Sequence, residues 1–164
     1  MPSWSVVPAA PDSPEALALW RAYYTEVSDR WFLLHEGRTT PPDELARELV
    51  AADDGSELLP PKGELLVARW GGAPAGTAGL RMLDVTTGEL TRVFLARGFR
   101  GRGGARVLLD AIEGAARALG AARLVLDTRA DLVEARALYA RHGYVETPPG
   151  RPKRYADHWF EKVL

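Results

Sequence analysis

Residues 97–106 read RGFRGRGGAR, with four arginines and four glycines in ten positions. They stand between the apolar run Val93-Phe94-Leu95 and a stretch of helical period that begins at Val107. A strand that hands over to a helix at this point leaves the first helical N–H groups unpaired and the positive end of the helix dipole exposed, which is a ready anion site. Glycines let the chain turn tightly there and let a phosphate approach the amides with no Cβ in the way. Arg100, Gly101, Arg102, Gly103, Gly104 and Ala105 occupy that junction, so their main-chain donors can wrap a pyrophosphate while arginine side chains meet flanking phosphate. The other reading is a solvated basic turn. Two phosphate loops fit poorly: a Walker loop ends in GK[ST], and Gly104 is followed by Ala105-Arg106. A dinucleotide fingerprint needs a third glycine where Arg106 stands.

Outward from the loop, the chain alternates between both periods. Downstream, ARVLLDAIEGAARAL (105–119) keeps Val107, Leu108, Ala111, Ala115 and Leu119 on one helical face, and Gly120 ends it. RLVLDT (123–128) follows as a strand, LVEARALYARH (132–142) as a helix stopped by Gly143, then YVE (144–146) and HWFEKVL (158–164) as strands. Upstream, GELLVARW (63–70), APAGTAGLRML (73–83) and ELTRVFL (89–95) are strands on short turns, which favours antiparallel neighbours. Strict alternation puts Glu89, Thr91, Val93 and Leu95 on one face. SWSVV (3–7) is a first strand, and Ser13 with Pro14 starts a helix to about Val27. Residues 28–38 show no clear period, and Thr40 with Asp43 three positions on caps a second helix. The order is β-α-α-β-β-β-α-β-α-β-β: one mixed α/β domain over 1–164, with six to seven strands in a mixed sheet, about four helices, and strands 4 and 5 parallel across the helix.

The segment V-F-L-x-R-x-x-R-G-R-G-G-A resembles motif A of the GCN5-related N-acetyltransferases (GNAT), with Arg100, Gly103 and Ala105 at its defining positions. Glu134 to Tyr144, EARALYARHGY, is similar to that family's motif B through Ala135, Leu138, Tyr139, Gly143 and Tyr144. The match is close over 89–147 and extends to 1–88 only through the order of elements. Two positions depart: Arg97 stands where proline is common, and Leu132 where an asparagine often contacts the cofactor, a contact Asp131 would have to supply.

The resemblance implies acetyl-CoA as donor, an amine acceptor, direct transfer in a ternary complex, and a fourth strand that splays from the fifth. It implies that a backbone N–H near Val93, Phe94 or Leu95 polarises the thioester carbonyl, that Tyr139 serves the departing thiol, and that Glu89 acts as base. Asp29, Glu26 and His158 are rivals for the last role. It implies acceptor contacts from 23–32 and 150–159, where Tyr24, Trp31 and Tyr155 offer aromatic walls, Glu26 and Asp29 offer anchors for a cation, and His158 is a further candidate; each has a plain packing role as the alternative.

Composition narrows the field. Of 164 residues 46% are hydrophobic and 26% charged, with formal net charge −1, so the arginine cluster is local and a nucleic-acid or anionic-membrane partner is disfavoured. The absence of cysteine excludes disulfides, thiolate metal sites and a cysteinyl intermediate. The three histidines lie far apart with no metal-ligand spacing, so no metal is expected; the first residues lack the pattern of a secretion signal, and no apolar run reaches membrane-spanning length. The expectation is a cytoplasmic small-molecule amine acetyltransferase, with a homodimer in keeping. An enzyme acting on protein amines, or a non-catalytic acyl-CoA-binding module, is the alternative.

Overall fold

The computed structural model describes all 164 residues. The strands are β1 (Trp4–Pro8), β2 (Gly63–Trp70), β3 (Ala73–Met82), β4 (Thr87–Leu95), β5 (Arg123–Thr128), β6 (Val145–Thr147) and β7 (His158–Val163). The helices are α1 (Pro14–Glu36), α2 (Pro42–Ala51), α3 (Gly104–Ala118) and α4 (Val133–Arg141). The strands form a single sheet in the order β1-β2-β3-β4-β5-β7-β6, antiparallel throughout except for β4 with β5. The main core joins α3 and α4 to one face: Leu108, Leu109 and Ile112 pack with Leu66, Leu80 and Leu124. Each such buried side chain contributes roughly 1.5–3 kcal/mol. The other face carries α1 and a small cluster of Ala16, Leu58 and Leu65.

Three features position the site. The parallel ladder between β4 and β5 has only three pairs, Thr87 to Glu89 against Arg123 to Val125. Beyond it β4 stays with β3 to Leu95 while β5 turns to β7, and a fork opens. Second, β4 carries a bulge. Gly79 pairs with Thr91 and Thr77 with Phe94, so Arg92 and Val93 together oppose Ala78, and Arg92 takes a φ of 53°. The extra residue overturns the expected alternation: Val93 and Leu95 join Leu90 on the α3 side, whereas Phe94 shares the α1 side with Glu89 and meets the Tyr23 ring at 5.5 Å. Third, Trp4 lies under the loop before α3. Its Nε1 donates to the Arg102 carbonyl at 2.7 Å, and a Cβ on Gly104 would collide with the indole.

The first helix is longer than its sequence pattern predicts, running to Glu36 before Gly37 ends it at φ 68°. Its second half serves several neighbours, so no single apolar stripe emerges. Ser28 is buried against α2, Trp31 stacks on His35, and Arg30 reaches the turn before α4. Thr40 does not cap α2, whose N-cap is Pro41 with no side-chain bond. Its hydroxyl donates to Ser28 Oγ at 2.8 Å and its N–H to Asp29 Oδ1 at 2.9 Å, so it bolts the two helices together instead.

Candidate active site

Two adjoining cavities flank the fork. The larger, about 1130 Å³, runs from the start of α3 down the free side of β4 to α4. Gly103 is the N-cap of α3 at φ 77°, and no side chain caps that helix. Its first amides therefore have no partner within the helix. Gly101 and Gly103 both stand at positive φ, where a side chain would strain the backbone, and the space that a Cβ would take is open at each. This cradle fits a polyanion: it offers bare donors, a dipole end and no steric cover.

The arginines divide unevenly. Arg100 is tied back, its Nε donating to the Leu95 carbonyl at 2.8 Å and its guanidinium pairing with Glu26 at 2.8 Å. Arg102 lies over Trp70, 5.6 Å from the ring centroid, and does not line the cavity; only its backbone remains available. Arg106, largely exposed, and Arg97 line the cavity beside the glycines. Glu26 therefore latches the loop through Arg97 and Arg100.

Val93, Phe94, Leu95 and Tyr139 line the same cavity. Tyr139 is buried against Tyr144 and Phe160, and burial pushes its phenol above the ordinary tyrosine value. Leu132 forms apolar wall where an asparagine was a candidate contact. Asp131 does not replace it, because both its oxygens are held by Arg129 at 2.8 and 2.9 Å and its carbonyl accepts from Arg30.

The smaller cavity, about 310 Å³, lies between α1, α2, β5 and the irregular segment 148–157. Tyr24, Trp31 and Tyr155 line it, with Trp31 edge-on to Tyr155 at 6.2 Å. Glu26 and Asp29 do not. Its acids are instead Glu36, Glu44, Glu48 and Asp127, none of them singled out by the sequence. The signal for two of these was present in the four-residue spacing of Glu44 and Glu48, which puts both on one face of α2. His158 is paired with Glu146 on the far side of β7 from this cavity's lining. Both cavities share Tyr23, Val27 and Leu132, so they adjoin at that point.

Glu89 sits at the crotch of the fork, 11% exposed, with both oxygens engaged. Oε1 accepts from Arg81 at 2.8 Å and Oε2 from Lys153 Nζ at 2.8 Å. The same Nζ donates to Asp127 Oδ2 at 2.8 Å. Burial works against the charge on Lys153, but its bonds to Asp127 and Glu89 outweigh that and raise its pKa. A second buried network adjoins the larger cavity, which Lys162 lines: Glu113 accepts from Lys162 at 2.7 Å and from the Tyr144 hydroxyl at 3.1 Å.

Residues 18–144 match the family model for the acetyltransferase (GNAT) family. Among curated proteins no significant match is found. In three dimensions the chain is similar to a protein assigned as an acyl-CoA N-acyltransferase from Klebsiella pneumoniae, with TM-score 0.72 and 24% identity over 98% of this chain and 97% of that one. It is similar to a GNAT family acetyltransferase from Elizabethkingia anophelis with acetyl-CoA bound, with TM-score 0.62 and 17% identity over 98% of both chains. A third likeness is to the PaiA N-acetyltransferase from Thermoplasma acidophilum in complex with coenzyme A, with TM-score 0.66 and 14% identity over 99% of both. At these identities the structural likeness is one of fold.

Proposed function

The chain belongs to the acetyltransferase (GNAT) family and is an acyltransferase, and from that premise we propose that it carries an acetyl group from acetyl-CoA to a primary amine of a small molecule by direct transfer. The observation that carries the reading is the pair of cavities that adjoin at Tyr23, Val27 and Leu132, one with bare amides and the other with aromatic and acidic walls. The smaller cavity is at the low end of the range for small-ligand sites, which suits a small amine better than a peptide.

In this reading the amides of Gly101 to Ala105 hold the pyrophosphate, helped by the side chains of Arg97 and Arg106. Arg100 acts by shaping the loop through Glu26 and the Leu95 carbonyl. Acetyl-CoA, when bound, supplies an activated thioester. Around it, the edge of β4 that β5 leaves unpaired at Val93 to Leu95 offers a carbonyl-polarising N–H, a kind of donor that needs no reorganisation at the moment of reaction. Tyr139 faces the departing sulfur. Reference values of about 10 for a phenol and 8.5 for a thiol make proton donation uphill by about 2 kcal/mol, and burial of Tyr139 raises that further. Its hydroxyl therefore acts by donating a hydrogen bond. Glu89 takes the proton of the acceptor, but only after one of its two cations has withdrawn.

Calorimetry with acetyl-CoA tests the donor half. The chain should bind it, and Gly103→Glu should not, since the new side chain and its charge would fill the phosphate position. Unchanged affinity in that variant would overturn the cradle. Screening small primary amines with acetyl-CoA, following thiol release, tests the acceptor half; turnover confined to peptide amines would overturn it.

A further inference from the structure

Lys153 presents a primary ammonium between two carboxylates of the active-site fork, which is the group the proposed acceptor must present in the same place. We propose that Lys153 holds the acceptor's seat, and that a primary ammonium on an apolar chain displaces it from between Glu89 and Asp127 before transfer. The inference rests on the acetyltransferase reading and adds to it the chemical class of the acceptor, cationic rather than neutral, and the site of its charge.

Geometry supports a seat. Glu89 and Asp127 project from β4 and β5 to the same side of the sheet, across the gap where the two strands part. Each places one oxygen 2.8 Å from Nζ, while Arg81 remains on the other Glu89 oxygen. Asp127 also lines the smaller cavity and so borders both the seat and the aromatic walls, whereas Glu89 and Lys153 line neither cavity.

The holder is easily moved. From Pro148 to Ala156 no backbone hydrogen bond joins the segment to a strand or helix, the first being that of the Asp157 N–H to the Thr128 carbonyl; within the segment the Ala156 N–H donates to the Lys153 carbonyl. Tyr155, two residues on, has φ 71°, a conformation that costs a non-glycine residue free energy and persists only while its surroundings hold it. Side chains hold this segment to the body of the protein, and Lys153 makes the charged contacts.

Electrostatics supply the selectivity. Withdrawing Lys153 alone would leave Glu89 paired with Arg81 only and Asp127 with no ion-pair partner, and uncompensated charge in a partly buried site is strongly unfavourable. Exchange of one ammonium for another removes that penalty. A neutral or anionic ligand gains nothing by it. The exchange also leaves the incoming nitrogen against Glu89, the group assigned to take its proton, so binding and activation occur at one atom.

The test uses n-butylammonium, which reproduces the lysine stem and charge. By calorimetry on the full chain, Lys153→Ala should bind it at least tenfold more tightly than the wild type, and Lys153→Ala with Asp127→Asn should lose that gain. Lys153→Met, with methylammonium as probe, makes the same measurement with the stem retained if the alanine variant does not fold. Equal affinity in wild type and both Lys153 variants, or a gain that survives Asp127→Asn, would overturn the inference. Because these titrations need no turnover, their failure leaves the transfer reading intact, whereas absence of acetyl-CoA binding by the wild type would overturn that reading and leave the seat standing.

Discussion

Tyr139 and Glu89 are both functional candidates whose surroundings change what they can do. Tyr139→Phe keeps the ring that packs on Tyr144 and Phe160 and removes one oxygen, so stability should fall by at most about 1 kcal/mol. Turnover should fall at least tenfold, the lower bound of what an acid or hydrogen-bond donor at the leaving group supplies, with acetyl-CoA affinity within a few-fold. A variant as fast as wild type would make Tyr139 a packing residue. Glu89→Gln should lower turnover with little effect on the Michaelis constant for acetyl-CoA, and the loss should shrink at high pH where the acceptor is already a free amine. A loss that is constant across the pH range would assign Glu89 to the ion-pair network of Arg81 and Lys153 alone. The sequence marked both residues because family motifs and strand position are local properties. It could not mark Lys153 or Asp127, which lie 26 residues apart and meet only because the chain returns across β5. Nor could it show that Glu26 and Asp29, named as anchors for a cation, are engaged by Arg100 and Thr40, since those partners come from distant or irregular segments.

Among the elements, those with clean periods were legible: α3 with its single apolar stripe, the β2–β3–β4 hairpins, and the helix after β5. The second half of α1 was not, because packing there uses Ser28, Arg30 and Trp31 in place of aliphatic residues. The bulge in β4 was equally hidden. Nothing in ELTRVFL marks an arginine at positive φ, and tertiary contacts hold it there: the Arg92 guanidinium stacks 4.2 Å from the Trp20 ring, and the Arg92 carbonyl accepts from the Thr77 hydroxyl. That division of causes can be measured. Arg92→Asn keeps a residue that tolerates the left-handed region and loses the stacking. Arg92→Val loses the stacking and adds β-branched strain, so it should be less stable than the asparagine variant by about 1–3 kcal/mol in urea unfolding. Equal stability of the two would mean that the backbone relaxes and the bulge is not held.

For the whole molecule the fold class and the parallel pair followed from element order, since a helical crossover between neighbouring strands forces them parallel. The place of β7 between β5 and β6 did not, because strand order depends on which edge the final segment reaches. Burial of charge also acts at this scale. Burial pushes the phenols of Tyr23, Tyr139 and Tyr144 up, and the carboxylates around Lys153 hold its ammonium above the usual lysine value despite burial. Each group keeps its proton in the folded chain at a pH where the unfolded chain loses it. Their stabilising contribution is therefore complete below about pH 10 and is lost as pH rises through the folded values. Guanidinium unfolding should show stability falling steadily from pH 10 upward; a flat profile between pH 9 and 11.5 would contradict these protonation states.

The three-pair ladder at Thr87–Glu89 and Arg123–Val125 makes the sheet a pair of jaws on a short hinge. From Glu89 to Leu95 the upper jaw extends about 20 Å at 3.3 Å per residue, so a turn of only about 5° at the hinge moves its tip by roughly 1.7 Å. The gap in which the reaction is placed is thus governed by a lever whose fulcrum holds, of the groups assigned a part in it, Glu89 alone. Gly88 lies in that fulcrum, and a Cβ there would press on Leu80 and Leu124 at 2.7 and 2.9 Å. Gly88→Ala is a wedge driven into the pin: it should alter the Michaelis constants for both substrates at once, from the closed end of the jaws.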